Sequence, residues 1–94
     1  MGIASEEKFN EYIDAAGQIV VDFMQQQGKP YPLAEARQGA REMGDRYRKH
    51  GMNPTVGDLV WGVYLRMGTK PLDAARALDP IVDRIVEAQE RLRR

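Results

Sequence analysis

The side chains able to do chemistry are few in this 94-residue chain, and they do not gather. His50 is the only histidine, Ser5 is the only serine, and there is no cysteine. The missing cysteines remove disulfides, thiolate metal sites and a cysteine nucleophile. A serine–histidine pair would need Ser5, whose place just before Glu6 and Glu7 marks it as a helix N-cap. A zinc site around His50 would have to be completed by carboxylates alone, an unusual ligand set. His50 stands instead at the basic end of a helical stretch, where an imidazolium favours a helix C-terminus. Carboxylates do recur at helical spacing, as Glu7 with Glu11 and as Asp79, Asp83 and Glu87. Acid–base or divalent-metal chemistry would require them to be buried or to converge from several elements. Bases stand beside them, however. Glu87 is four before Arg91 and Glu90 four before Arg94, the spacing of solvated helix-surface pairs. No glycine-rich phosphate loop occurs. The expectation is no enzyme, no cofactor and no bound metal.

Two other sets of residues suit recognition. Trp61 and Leu65 lie one helical turn apart, beside a narrow face made by Asp58, Gly62 and Arg66. Tryptophan is enriched at interface hot spots because it buries a large area at small rotamer cost. Trp61 either packs under the segment that follows it or, with Leu65, reaches a protein partner, Gly62 allowing close backbone approach. On the second reading, Trp61→Ala weakens association and leaves the melting temperature nearly unchanged. The other set is basic: Arg37, Arg41, Arg48 and Lys49, with Lys29 and Arg46 nearby. Bases at helical spacing can line up on nucleic-acid phosphates. They can equally pair with the acidic flank of the first segment, and Glu35, Glu42 and Asp45 dilute them.

The elements that must position these residues are punctuated by Gly28-Lys29-Pro30, Gly51-Met52-Asn53-Pro54 and Gly68-Thr69-Lys70-Pro71. Glycine closes a helix in the left-handed conformation, and proline suits the next first turn. Segment one, over about 5–27, shows a stripe of Phe9, Tyr12, Ile13, Ala16, Ile19, Val20, Phe23 and Met24. Gly17 interrupts it at a propensity cost of about 1 kcal/mol. Segment two, 32–50, repeats Leu33, Ala36, Ala40, Met43 and Tyr47, and its Ala36-Ala40-Gly44 line is small enough for a close neighbour. Segment three, 54–67, carries Val56, Leu59, Val60, Val63, Tyr64 and Met67 on one broad arc. Its cap is either Thr55, in a capping box with Asp58, or Asn53 ahead of Pro54. Segment four carries Leu72, Ala75, Leu78, Val82, Ile85, Gln89 and Leu92 on one line. At Asp79-Pro80 it either breaks, Asp79 capping a new helix that Pro80 opens and giving helices 71–78 and 80–93, or continues through a kink.

No strand alternation or long linker competes with this pattern. The fold class is all-α, a compact four- or five-helix bundle filling 1–94 as one domain. A homodimer built from helix pairs uses the same pattern. The 14 basic and 14 acidic residues cancel, though residues 1–28 hold five acids against one base and 29–50 six bases against three acids. A neutral total gives no general attraction to nucleic acid or anionic lipid. The stretch from Val56 to Met67 is too short to span a bilayer. Residues 1–5 show neither a secretory leader nor the myristoylation pattern, which wants Ser or Thr where Glu6 stands. With no cysteine, a reduced, cytoplasmic setting fits. A would-be helix-turn-helix around Gly68 offers Arg76 and Asp73 but no Asn, Gln or Ser to read bases. The reading that follows is a small non-enzymatic protein–protein interaction module working through segment three: a regulator, adaptor or inhibitor of the kind mobile elements can encode. The alternative is a helical nucleic-acid-binding regulator using the basic face of segment two, together with Arg91, Arg93 and Arg94.

Overall fold

A computed structural model describes residues 5–94; the reading of the first four residues lies outside it. Five α-helices follow in order: α1 (Glu6–Gln26), α2 (Leu33–Lys49), α3 (Val56–Arg66), α4 (Pro71–Arg76) and α5 (Val82–Arg93). A 3₁₀ turn at Asp79–Ile81 joins the last two. The fold is an all-α bundle with no strand among the described residues. Its radius of gyration is 12.3 Å, that of a compact chain of this length.

The helices begin and end for local reasons. Ser5 Oγ accepts the Lys8 backbone N–H at 3.0 Å and starts α1. Thr55, and not Asn53, starts α3. Its hydroxyl accepts the Asp58 N–H, and the Asp58 carboxylate accepts the Thr55 N–H, closing the capping box. Gly28, Gly51 and Gly68 all have positive φ, at 73°, 71° and 92°. Each closes its helix with the paired Schellman bonds; after α2 these run from Gly51 N to Arg48 O and from Met52 N to Tyr47 O. A Cβ at Gly51 would meet nothing within 4 Å, so the obstacle to a side chain there is the backbone conformation alone. Gly51→Ala is expected to cost about 1–2 kcal/mol by thermal or chemical unfolding, with the fold unchanged.

Segment four breaks, and it does so without the predicted Asp79 cap. Neither the 3₁₀ turn nor α5 has a side-chain cap. Proline at position 80 removes the bond that would have continued α4, and the Ile81 N–H bonds Leu78 O at 3.0 Å instead. The result is an α4 of only six residues, two fewer than the sequence pattern predicts.

Helix α3 is the centre, in contact with α1, α2, α4 and α5. Its Val56, Leu59, Val60 and Val63 are fully buried with Phe9, Ile13 and Val20 of α1 and Ala36 and Ala40 of α2. Close crossings set the positions of its neighbours. A Cβ on Gly62 would stand 2.4 Å from Met43 Cβ and 2.9 Å from Gly39 O. A Cβ on Gly44 would stand 2.7 Å from the Phe9 ring. The mid-helix Gly17 faces Arg37, whose Cγ would lie 3.1 Å from a Cβ there. Gln89, placed by its spacing on an apolar line, is a polar clasp. Its Oε1 accepts the Val56 N–H at 2.8 Å, and its Nε2 donates to Tyr12 Oη at 3.4 Å. One α5 side chain thus ties the start of α3 to α1.

Tyr64 is buried, and its hydroxyl has no hydrogen-bond partner among the described residues. A buried hydroxyl without a partner costs about 1–3 kcal/mol. Tyr64→Phe is therefore expected to leave stability unchanged or raise it by about 1 kcal/mol in denaturant titration. Burial also lifts the Tyr64 pKa above its usual 10.0, and the Tyr31 and Tyr47 phenols are raised too, again chiefly by burial. The unfolded chain then loses its phenolic protons first. The stabilisation is full below pH 10.0 and is lost as pH rises through the folded-state values. Tyr64→Phe should make that alkaline decline shallower.

Candidate functional site

The predicted recognition face around Trp61 divides into two places. Gly62 and Arg66 turn toward α2. The close approach that Gly62 permits is made to Gly39 and Met43 within the chain. Arg66 pairs with Glu42 at 2.9 Å and Glu35 at 3.4 Å, both on α2. Leu65 lies beside them, partly buried, at a small cleft between α2 and α3. Gly62 and Arg66 thereby pack against the chain's own second helix, and Leu65 borders the cleft beside them.

Trp61 and Asp58 face the other way, into a groove floored by α3. It is lined by Tyr47, Thr55, Gly57, Asp58 and Trp61 together with Ala75 and Leu78. The groove lies beside the short α4: the chain leaves the helix after Arg76 and turns through Asp79–Ile81, and Ala75 and Leu78 line the groove with Trp61. Trp61 is half-buried, and its indole N–H donates to Pro71 O at 3.2 Å. That bond holds the ring edge against the start of α4. One edge of Trp61 packs under the following segment, and the rest lines an open surface. A corollary corrects the expectation for Trp61→Ala. Because the ring packs against the core and bonds α4, its removal lowers stability as well as altering the groove.

Burial, and then the neighbouring Asp58 carboxylate, raise the Tyr47 pKa. Asp58 closes the capping box and lines the groove with Tyr47. Three apolar residues of the C-terminal third remain strongly exposed nearby in sequence: Leu72 at 65%, Val82 at 49% and Val86 at 53%. Ala75 and Leu78 were legible only as members of a core stripe. That they line a groove depends on where α4 ends.

The basic face of α2 is engaged by α1. Arg37 pairs with Asp14 at 2.8 Å, and Arg41 donates to Asn10 at 2.7 Å and lies 4.0 Å from Glu6. Arg48 pairs with Glu6 at 3.1 Å and stacks over the Phe9 ring, 4.1 Å from its centroid. Lys49 is exposed, with no ion pair among the described residues. On α5, Glu90 pairs with Arg93 at 3.6 Å, and the Glu87–Arg91 and Glu90–Arg94 spacings do not close into ion pairs. His50 is the C-cap of α2. No group of three or more His, Asp or Glu side chains among the described residues could hold a metal ion. No described helix is long and apolar enough to cross a membrane. No protein-family model, curated protein or solved structure matches the chain.

Proposed function

We propose that this protein is a small non-enzymatic interaction module, a regulator, adaptor or inhibitor that seats an apolar helix of a partner protein in the Tyr47–Trp61–Ala75–Leu78 groove. The observation that carries this reading is the groove itself: an apolar surface on the central helix, holding the chain's one tryptophan and lying beside a six-residue α4. A helix laid in a hydrophobic groove is a recurrent recognition mode, and a tryptophan with one ordered edge and one open face is a preorganised anchor for it. Leu72, one turn before Ala75 on α4, is a further exposed apolar residue. The nucleic-acid alternative has less to draw on, because Arg37, Arg41 and Arg48 would have to leave Asp14, Asn10 and Glu6.

The test uses Ala75→Arg, which enters the groove from an exposed helix position. In affinity capture from the source cell, the wild-type chain and Lys49→Ala are expected to retain the same partner. Ala75→Arg should lose it, with affinity reduced at least about tenfold, or about 1.4 kcal/mol. Retention by Ala75→Arg at wild-type strength would remove this groove from the reading. Sedimentation of the purified chain separates a foreign partner from a second copy.

A further inference from the structure

A second concavity lies where the first half of α1, the loop before α3 and the end of α5 meet. We propose that this hollow binds a small carboxylate carried on an apolar body. Its volume is about 370 Å³, within the range of small-ligand sites. The two charged residues that line it, Lys8 and Arg93, are both cations. Each is held only by a long, exposed pair to a neighbour on its own helix: Lys8 to Glu11 at 3.7 Å and Arg93 to Glu90 at 3.6 Å. Exposed pairs of this kind hold little energy, so either cation can turn to an incoming anion at small cost.

The wall of the hollow supplies donors as well. Tyr12 is buried, with only 8% of its surface exposed, and its oxygen accepts from Gln89 Nε2. Gln89 Oε1 is already taken by the Val56 N–H, which fixes the amide so that its NH₂ faces Tyr12. With Gln89 as donor, the Tyr12 hydroxyl proton has no acceptor among the described residues and is available to a ligand oxygen. Leu92 and Pro54 line the hollow beside these donors and are themselves buried. Two cations and a phenol proton select an oxyanion. The guanidinium fork favours a carboxylate, and the apolar wall favours one attached to a ring or short hydrocarbon. This hollow shares only Thr55 with the lining of the Trp61 groove, so either assignment can fail alone.

The test is an NMR titration of the full chain with benzoate, acetate and chloride at constant ionic strength. Benzoate is expected to give saturating amide shifts at residues 53, 55, 56 and 89–93, and to bind about tenfold more tightly than acetate because its ring is buried. Lys8→Gln combined with Arg93→Gln, the first half-buried and the second exposed, should weaken benzoate at least about tenfold. Tyr12→Phe tests the phenol separately and should weaken it about threefold while helical circular dichroism is retained. Shifts that stay linear, that are equal for the three anions, or that persist unchanged in the double variant would identify an adventitious ion only and overturn the assignment.

Discussion

Gly62→Ala is expected to destabilise this protein by about 3 kcal/mol or more, at the upper end of overpacking costs. Its melting temperature should fall by about 12 °C or more. Helix propensity alone argues the opposite. Alanine is favoured over glycine inside a helix by about 1 kcal/mol, and Gly62 is interior to α3. Packing decides the sign. The new methyl would stand 2.4 Å from Met43 Cβ and 2.9 Å from Gly39 O. The first is a rigid side-chain root and the second is backbone, so α2 and α3 must separate. That separation also strains the Arg66 pairs to Glu35 and Glu42 and reduces the burial of Ala36 and Ala40. Gly57→Ala, five residues earlier on the same helix, is the control. Its Cβ would meet Ile85 Cγ2 and Thr55 Oγ1 at 3.6 Å, ordinary contact, so propensity prevails and stability rises by about 0.5–1 kcal/mol. Thermal melts of the two variants should move in opposite directions. Two shifts of the same sign would mean that α2 and α3 do not cross at Gly39 and Gly62.

Phe9→Ala is expected to cost about 3–5 kcal/mol, a large share of the total stability of a domain this size. Phe9 is fully buried at the α1–α2 contact, against Gly44, with the Arg48 guanidinium over its face and Arg41 at 5.8 Å. Truncation leaves a cavity and also removes the surface on which Arg48 rests before it reaches Glu6. The same contact predicts a change of sign. Gly44→Ala is destabilising in the wild-type chain, because the methyl would meet the ring at 2.7 Å. In a Phe9→Ala background it fills part of the cavity and becomes neutral or stabilising. A double-mutant cycle should show coupling of at least about 1 kcal/mol, and additivity would contradict the placement of the ring.

The helices were legible because their ends are chemically marked. Ser5, Thr55 with Asp58, and the three left-handed glycines act within four or five residues, where sequence spacing is geometry. The centrality of α3 was legible from the breadth of its apolar arc. What the pattern does not carry is which helix meets which. Gly62 reads as freedom to approach something; that the something is Gly39 follows only from how α2 lies across α3. The basic face of α2 is ambiguous for the same reason, since Asp14, Asn10 and Glu6 are distant in sequence from the arginines they meet. Gln89 was placed on an apolar line because an amide that serves a backbone N–H across the bundle has the same spacing as a leucine. The length of α4 beside the groove, two residues short of the pattern, is set by Pro80 and not by any cap.

The groove as a protein-docking site is tested most directly by placing a photoreactive side chain at Leu72, which is 65% exposed one helical turn before Ala75, and irradiating in the source cell. A control chain carries the same group at Gln18, on the exposed face of α1. One discrete adduct from position 72, absent from position 18 and abolished by Ala75→Arg, is the expected result. No adduct from position 72, or the same adducts from both positions, would contradict it.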